Sequence, residues 1–415
     1  MNTKKLFEHF ELNNFQSFIR IFFTLNSTIF TIVVLLDVFF NIKISAFSNY
    51  IDIFGDFLKA ADSLHITKLW EGVNHYDLLL EQKGVHHVVP PFTIFIWALS
   101  SYLIKYLLNK YFVYFIIFIL PIFILFLYKS FKIKYFFVLL FSYPILMAIQ
   151  RGNVAILVFI CLFLFYFYYK EEKIYFSLFF LVLATSLKVT PLLFFILFFN
   201  FNNIKLLIKN VFIFLSMLFT FNILIIYLNP LLVDINIYDS RQFFKYIKAY
   251  NTYAIESFGG LKYGSSLYMP ILTIIKIINN NLFRLFIKIN PYLFNLFIFT
   301  IIYFIKNKIN SIRFYFNNDN IKLELITICF ILFMPVTADY YLLLLFLPLI
   351  FIPYSYFSEI KKISYLLLLI PKEIINTKYF IGIELPIGAF INPILLLIIL
   401  FDILKIFNES KAKYN

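Results

Sequence analysis

The chain has 415 residues, of which 62% are hydrophobic and 14% are charged. Soluble domains average about 45–50% apolar and about 25% charged residues, so this composition excludes a soluble globular protein. Lys and Arg total 36 against 22 Asp and Glu, a formal net charge of +14. In a membrane protein such an excess indicates basic loops that face anionic lipid headgroups. No basic run with interleaved aromatic residues lies outside the apolar segments, so no nucleic-acid partner is expected.

Apolar segments that reach or approach the roughly 20 residues needed to cross a bilayer recur along the chain. They lie near residues 18–40, 89–108, 111–128, 135–149, 153–169, 174–200, 206–228, 266–279, 291–305, 323–336, 340–354, 363–371 and 388–407. A helix satisfies its own backbone hydrogen bonds in lipid, and the alternating pattern of barrel strands is absent. The sequence therefore predicts an all-α fold, a polytopic transmembrane helical bundle of about 12 spans, with residues 1–415 in one integral domain.

Two hydrophilic stretches, residues 41–88 and 229–265, are too long to be simple turns. Basic residues precede the first apolar segment and acidic residues dominate 41–88, so the positive-inside rule puts the N-terminus inside and this first loop outside. If the next six segments all cross, the 229–265 loop is outside too, but so is the basic turn at residues 129–134, against the rule. Only one of segments 266–279 and 291–305 is expected to cross, which puts the C-terminus inside.

The first outer loop contains a candidate base and two candidate ligand donors. Asp56, in Gly55-Asp56-Phe57, lies where the chain can return to the membrane surface as an amphipathic segment. It is interpreted either as a solvated loop carboxylate or as a general base held at the boundary between lipid and water. His86 and His87 end the same loop, and their spacing matches no zinc motif. We expect aqueous loop residues or donors to a ligand phosphate there, and no metal site.

Polar residues also interrupt the apolar segments that follow. Gln150-Arg151-Gly152-Asn153 separates two of them, either as a simple turn or as a site where the Arg151 guanidinium binds an anion at a helix junction. Lys188 lies about ten residues from either end of its apolar segment, too deep for easy snorkelling. Pro191 beside it frees backbone polar groups. We therefore expect Lys188 to have a functional role or a structural ion-pair role inside the bundle.

Two further polar sites belong to the predicted outer face. Glu256 lies in the second outer loop, shortly before the eighth apolar segment. Asp339 and Tyr340 lie in a polar turn between two later segments, where Asp339 is suited to be a helix cap or the partner of a cation. These groups converge on the outer face only if the predicted topology holds.

Taken in order, these features resemble the polyprenol-phosphate-sugar-dependent glycosyltransferases of family 87. This family belongs to the GT-C superfamily, which includes mycobacterial mannosyltransferases. The resemblance extends over roughly residues 37 to 350, and this chain departs from the family where relatives commonly have Trp-Asp-His-Tyr and it has Ala338-Asp339-Tyr340-Tyr341. The segments that carry the resemblance are Gly55-Asp56-Phe57, Val89-Pro90-Pro91-Phe92, Gln150 to Val154, Leu187 to Leu192, Asn251 to Gly260 and Pro335 to Tyr341.

The resemblance implies transfer of a sugar, either a hexose such as mannose or a pentose, from a polyprenyl-phosphate donor to a lipid or glycan acceptor. The active site would lie on the outer face of the cytoplasmic membrane. Asp56 matches the catalytic carboxylate of the superfamily and would be the general base of an inverting, metal-independent reaction that needs no cofactor. The residues expected to bind the donor phosphate or the substrate are Arg151, Asn153, Lys188, His86, His87, Glu256, Asp339 and Tyr340.

Two other classes of membrane protein remain as alternatives. A secondary transporter also has about 12 spans and buried charges, although no inverted repeat is apparent and the two long charged loops suit an enzyme better. A lipid-linked oligosaccharide polymerase or flippase would share the lipid-linked substrate. It would be expected to use outer-loop arginines, and Arg241 is the single arginine in the second loop.

Overall fold

The structure is a computed structural model. It describes residues 92–93, 95–96, 142–145, 148, 154–199, 203–233, 265–286, 289, 319–334, 339–352, 356–370, 372 and 387–412. Every regular element within these ranges is helical, which confirms the predicted all-helical class. The number of spans and the GT-C fold stay predictions. The α-helices are α1 (Ala155–Lys170), α2 (Ile174–Leu187), α3 (Ile204–Val233), α4 (Tyr268–Ile278), α5 (Asp319–Phe333), α6 (Phe346–Phe351), α7 (Glu359–Leu369) and α8 (Gly388–Ala412), and 3-10 helices cover Thr190–Phe198 and Asp339–Leu345.

Two described helices are long and apolar enough to cross a membrane. They are the 25 residues Ile204–Leu228 of α3 and the 18 residues Gly388–Lys405 of α8. One face of α3 exposes a row of large apolar side chains, among them Ile208, Phe212 and Phe219. A continuous apolar face of this kind suits lipid rather than water. The two helices therefore suggest a membrane protein.

The described helices fall into two compact units, one that contains α1 to α3 and one that contains α4 to α8. In the α1–α3 unit, α1 and α2 form a helical hairpin. The backbone N–H groups of Glu172 and Lys173 donate to the carbonyls of Tyr169 and Tyr168, at 3.1 and 2.9 Å. With Glu172 at a positive φ of 59°, this is the Schellman pattern that ends a helix and reverses the chain.

The hairpin has a closed end, at the turn Glu171 to Lys173, and an open end, where α1 begins and α2 stops. With 16 residues in α1 and 14 in α2, the arms are about 24 and about 21 Å long. The Ser177 hydroxyl donates to the Phe165 carbonyl at 3.0 Å and locks the two arms together near the closed end. Ala155 and Leu187 consequently lie at the same, open end.

The apolar segment predicted over residues 174–200 is not one continuous helix. It divides into α2 and the 3-10 helix Thr190–Phe198, and Lys188 is the extended residue between them, with φ −148° and ψ 135°. The Tyr169 hydroxyl donates to the Leu197 carbonyl at 3.1 Å, and the rings of Phe165 and Phe198 are 6.0 Å apart. The chain thus reverses at the open end and returns along α1 towards the closed end.

In the α4–α8 unit, hydrogen bonds fix the directions of the helices. At one end the Leu267 N–H donates to the Leu332 carbonyl at 2.8 Å, and the Asn392 amide donates to the Ser265 hydroxyl at 3.1 Å. We call this the serine end. Here α4 and α8 begin and α5 stops, so α5 runs antiparallel to α8. The opposite end, which we call the charged end, contains Glu324 near the start of α5.

Candidate functional site

Lys188 is the predicted site residue whose surroundings the structure describes most fully. It is half-buried, directly after the last residue of α2. Its backbone N–H still completes the helix by donating to the Ala184 carbonyl at 3.0 Å. The next helical stretch starts at Thr190 with Pro191, which has no N–H to donate and suits the first turn of a helix. A proline at this position explains why the helix cannot simply continue past Lys188.

Neutral side chains from other elements hold this break. The Thr93 hydroxyl donates to the Leu187 carbonyl at 2.7 Å, a contact between residues that are 94 apart in the chain. The Asn222 amide of α3 donates to the Ser186 hydroxyl at 3.1 Å and to the carbonyl of Leu218 at 2.8 Å. The break is therefore tied to the segment that contains Thr93 and to α3.

Two further hydroxyls of this region, Thr185 Oγ1 and Thr190 Oγ1, are buried and have no hydrogen-bond partner. A buried hydroxyl without a partner is costly, so such groups are uncommon unless they meet a ligand or water. The open end therefore brings together hydroxyl groups, an amide and one lysine. The Thr93 hydroxyl and the Asn222 amide donate to protein acceptors, so the groups of this end that are suited to a phosphate or a sugar hydroxyl are Lys188, Thr185 and Thr190.

Most of the other predicted site residues lie outside the described residues: Asp56, His86, His87, Arg151, Asn153 and Glu256. Asp339 and Tyr340 begin the 3-10 helix Asp339–Leu345, which packs against α5. The described parts of the chain nearest to these predicted residues are informative nonetheless. Thr93 contacts Leu187 at the open end, and α1 begins there directly after Val154.

Thr93 and the start of α1 lie at the same, open end of the hairpin. The number and direction of the predicted membrane crossings stay predictions.

A second polar cluster lies at the charged end of the α4–α8 unit. Lys361 Nζ donates to Glu324 Oε2 at 2.8 Å and lies 3.8 Å from Asp402 Oδ2. The Tyr365 hydroxyl donates to the other Glu324 oxygen, also at 2.8 Å. The side chains of Lys361 and Glu324 are each only 2% exposed, while that of Asp402 is 20% exposed. The cluster joins α5, α7 and α8 through charged hydrogen bonds.

Residues around this polar cluster make further contacts with Lys361 and Asp402. Ser358 caps α7 by accepting from the Lys361 N–H at 3.2 Å, and its hydroxyl donates to Asp402 Oδ1 at 3.0 Å. The Phe357 ring centroid is 5.2 Å from Lys361 Nζ, within the range of a cation–π contact. With its charge neutralised on several sides and almost no exposed surface, Lys361 is suited to hold helices together rather than to bind a ligand.

Sequence reasoning did not single out several residues of these two clusters. Glu324 and Asp402 lie inside predicted apolar segments, so the cost of an ionisable group in lipid was the signal that could have found them. Thr93 and Asn222 carry no such signal, because a neutral hydroxyl or amide inside an apolar helix is common. Among the residues that the structure describes, no three His, Cys, Asp or Glu side chains are grouped as metal ligands.

Comparisons of the chain with protein-family models, with curated proteins and with solved structures give no match.

Proposed function

We propose that this protein is a membrane glycosyltransferase that moves a sugar from a polyprenyl-phosphate donor to a lipid or glycan acceptor on the outer face of the membrane. The main support for the proposal is the helix break at Lys188, together with the residues that surround this break at the open end. The segment after His86 and His87 reaches this end through Thr93, and α1 begins there after Arg151 and Asn153. Phe92, Val154 and Leu187 are described residues from three segments of the family-87 resemblance, and their shared position at the open end supports the proposal.

Charge distribution supports an outer location for the open end. Lys170 and Lys173 flank the closed end, and Lys205 and Lys209 lie in the first two turns of α3, which follow the return of the chain to that end. The positive-inside rule puts such an end in the cytoplasm. The opposite, open end is then outside, where the donor sugar would be used.

The positions of the lysines support an outer serine end in the α4–α8 unit as well. Lys322, Lys361 and Lys362 lie close to the charged end, and Lys405 follows Asp402 by less than one turn. The charged end is therefore assigned to the inside. Under this assignment Ser265 and the end of α5 lie outside, which supports the expected outer position of Glu256 and Asp339.

The chemistry follows from the properties of the donor. A polyprenyl chain cannot leave the bilayer and its phosphate cannot enter the hydrocarbon, so transfer has to occur at the interface. Asp56 would take the proton of the acceptor hydroxyl as its oxygen attacks the anomeric carbon, while the bond from that carbon to the phosphate oxygen breaks. The polyprenyl phosphate that leaves gains negative charge. Lys188 and Arg151 would stabilise this charge.

The test is transfer of radiolabelled sugar in membranes that contain the full-length protein, from a panel of polyprenyl-phosphate sugars. We expect transfer by the wild type from at least one donor, and a loss of about 10²-fold or more with Asp56→Asn, because a general base contributes about that much. Asp52→Asn is the matched control, since it changes a carboxylate of the same loop, and it should retain activity within about twofold.

Two outcomes would overturn parts of this proposal. Activity retained by Asp56→Asn, at a matched protein level, would move the catalytic carboxylate elsewhere. No transfer from any donor by wild-type membranes would remove the glycosyltransferase assignment itself and would favour the transporter alternative.

A further inference from the structure

We propose that Thr93 is a positioning residue for the donor-phosphate site: its hydroxyl holds the Leu187 carbonyl and thereby fixes the direction in which Lys188 leaves the helix. This inference rests on the proposed function, because it assigns to Lys188 the contact with the donor phosphate. Thr93 itself would not touch the reacting atoms. Its effect would pass through the peptide unit that joins Leu187 to Lys188.

The peptide unit between Leu187 and Lys188 is held at both of its polar atoms. Its carbonyl oxygen accepts from the Thr93 hydroxyl at 2.7 Å, and its N–H donates to the Ala184 carbonyl at 3.0 Å. A peptide unit is planar, so two such hydrogen bonds fix its orientation. Once that plane is fixed, the position of the Lys188 Cα and the starting direction of its side chain follow.

The Thr93 contact is sealed from solvent. Thr93 is fully buried, and Leu187 is 2% exposed. The residue four positions after Leu187 is Pro191, which has no N–H, so no α-helical donor exists for the Leu187 carbonyl. Without the Thr93 hydroxyl this buried carbonyl would need another donor, and the chain around Lys188 would have to move to find one.

Thr93 is itself held in place from the other side. The ring of the preceding residue, Phe92, meets the ring of Phe221 in α3 edge to face, with 4.9 Å between centroids. The next residue of α3, Asn222, donates to the Ser186 hydroxyl at 3.1 Å. Three elements therefore meet at the end of α2, and Thr93 is the one that contacts the peptide unit of Lys188 directly.

The experiment compares Thr93→Val, which keeps the shape and removes the donor, with Thr93→Ser, which keeps the hydroxyl. Transfer is measured at varied donor and acceptor concentrations. With Thr93→Val we expect kcat/KM for the donor to fall about tenfold, the effect of one lost buried hydrogen bond, while KM for the acceptor stays within about twofold. Thr93→Ser should restore kcat/KM to within about threefold of the wild type.

A double-mutant cycle separates positioning from general loss of structure. In a Lys188→Gln background, Thr93→Val should cost less than about twofold, since the residue through which it acts is gone. If the two substitutions instead multiply their effects, Thr93 does not act through Lys188 and the inference is overturned. An equal loss with Thr93→Ser and Thr93→Val would also overturn it.

A second measurement does not depend on activity. The full-length protein in detergent is treated with an amine-acylating reagent, and the rate at Lys188 is compared with that at exposed Lys173 by peptide mass spectrometry. Thr93→Val should change this ratio at least about threefold, and Thr93→Ser should not. An unchanged ratio overturns the inference. If the wild type transfers no sugar from any donor, the proposed function is wrong, and so is the contact of Lys188 with a donor phosphate. The labelling ratio still decides whether Thr93 holds Lys188.

Discussion

Lys188 and Lys361 both lie beside apolar helices, but the protein surrounds them in opposite ways. Lys361 is 2% exposed, 2.8 Å from one carboxylate and 3.8 Å from another. Lys188 is half-buried at a break in the backbone, and hydroxyl and amide groups make the hydrogen bonds that hold the break. Lys361 cannot meet a ligand unless three helices separate. Lys188 keeps an exposed part through which a ligand can approach.

The comparison shows that an ionisable residue in an apolar segment is not by itself a binding site. Both lysines satisfy the rule that such residues are costly and therefore have a role. The roles proposed for them differ because Lys361 is closed off between two carboxylates, whereas Lys188 is half-buried at a break in the helix. Burial and the state of the backbone, rather than the presence of charge, distinguish a structural lysine from a candidate ligand-binding one.

The largest expected effect is the loss of stability when Lys361 is replaced. Lys361→Met leaves Glu324 buried without its cation, and we expect this to cost about 3–5 kcal/mol of unfolding free energy. Thermal unfolding in detergent can be followed by thiol labelling at Cys329, which is buried in α5. A Cys161→Ala background leaves Cys329 as the single thiol.

The matched control for this prediction is Lys362→Met. Lys362 pairs with Glu359, which is 81% exposed, and exposed pairs contribute about 0–1 kcal/mol. The double variant Glu324→Gln with Lys361→Met should recover at least half of the lost stability, because no unpaired charge then remains at Glu324. If Lys361→Met costs no more than Lys362→Met, the contrast between the two kinds of lysine is wrong.

Tyr365→Phe should have an intermediate effect. It removes the hydroxyl that donates to Glu324 at 2.8 Å in a fully buried site, and a hydrogen bond to a charged group is worth about 1.5–3 kcal/mol. The same thiol-labelling measurement at Cys329 gives the change in unfolding temperature. Tyr356→Phe, at an exposed tyrosine, is the control and should leave the unfolding temperature unchanged. A loss of stability as large as that of Lys361→Met would contradict this order and would give the hydroxyl the same weight as the lysine.

The smallest expected effect is that of Ser358→Ala. Ser358 caps α7 and donates to Asp402 at 3.0 Å, at an exposed position. Loss of a helix cap costs about 0.5–2 kcal/mol, and water can replace the contact with Asp402. Ser358→Asn, another favourable cap residue, should restore stability to within about 0.5 kcal/mol of the wild type. If Ser358→Asn is as unstable as Ser358→Ala, the contact with Asp402 matters more than the cap.

Local features of the sequence were enough to predict the helical class and to single out Lys188. Apolar composition and the cost of unpaired backbone groups in lipid act over short stretches of chain, so α1, α2 and α3 could be anticipated from residues 153–228 alone. The reversal of the chain at Lys188 could not be predicted from the sequence, because the apolar pattern continues unchanged from α2 into the 3-10 helix. Only Pro191 marked a break, and proline also occurs within continuous membrane helices.

For the residues that the structure describes, the sequence by itself therefore determined the helical class and which residues are expensive to bury. Tertiary structure alone decided which of these residues meet. Glu324 and Lys361 are 37 residues apart, and Thr93 and Leu187 are 94 apart. Nothing in their local sequence specifies a partner. The physical reason is that helix formation depends on neighbours within one or two turns, whereas satisfying a buried charge or carbonyl depends on whichever distant helix packs against it.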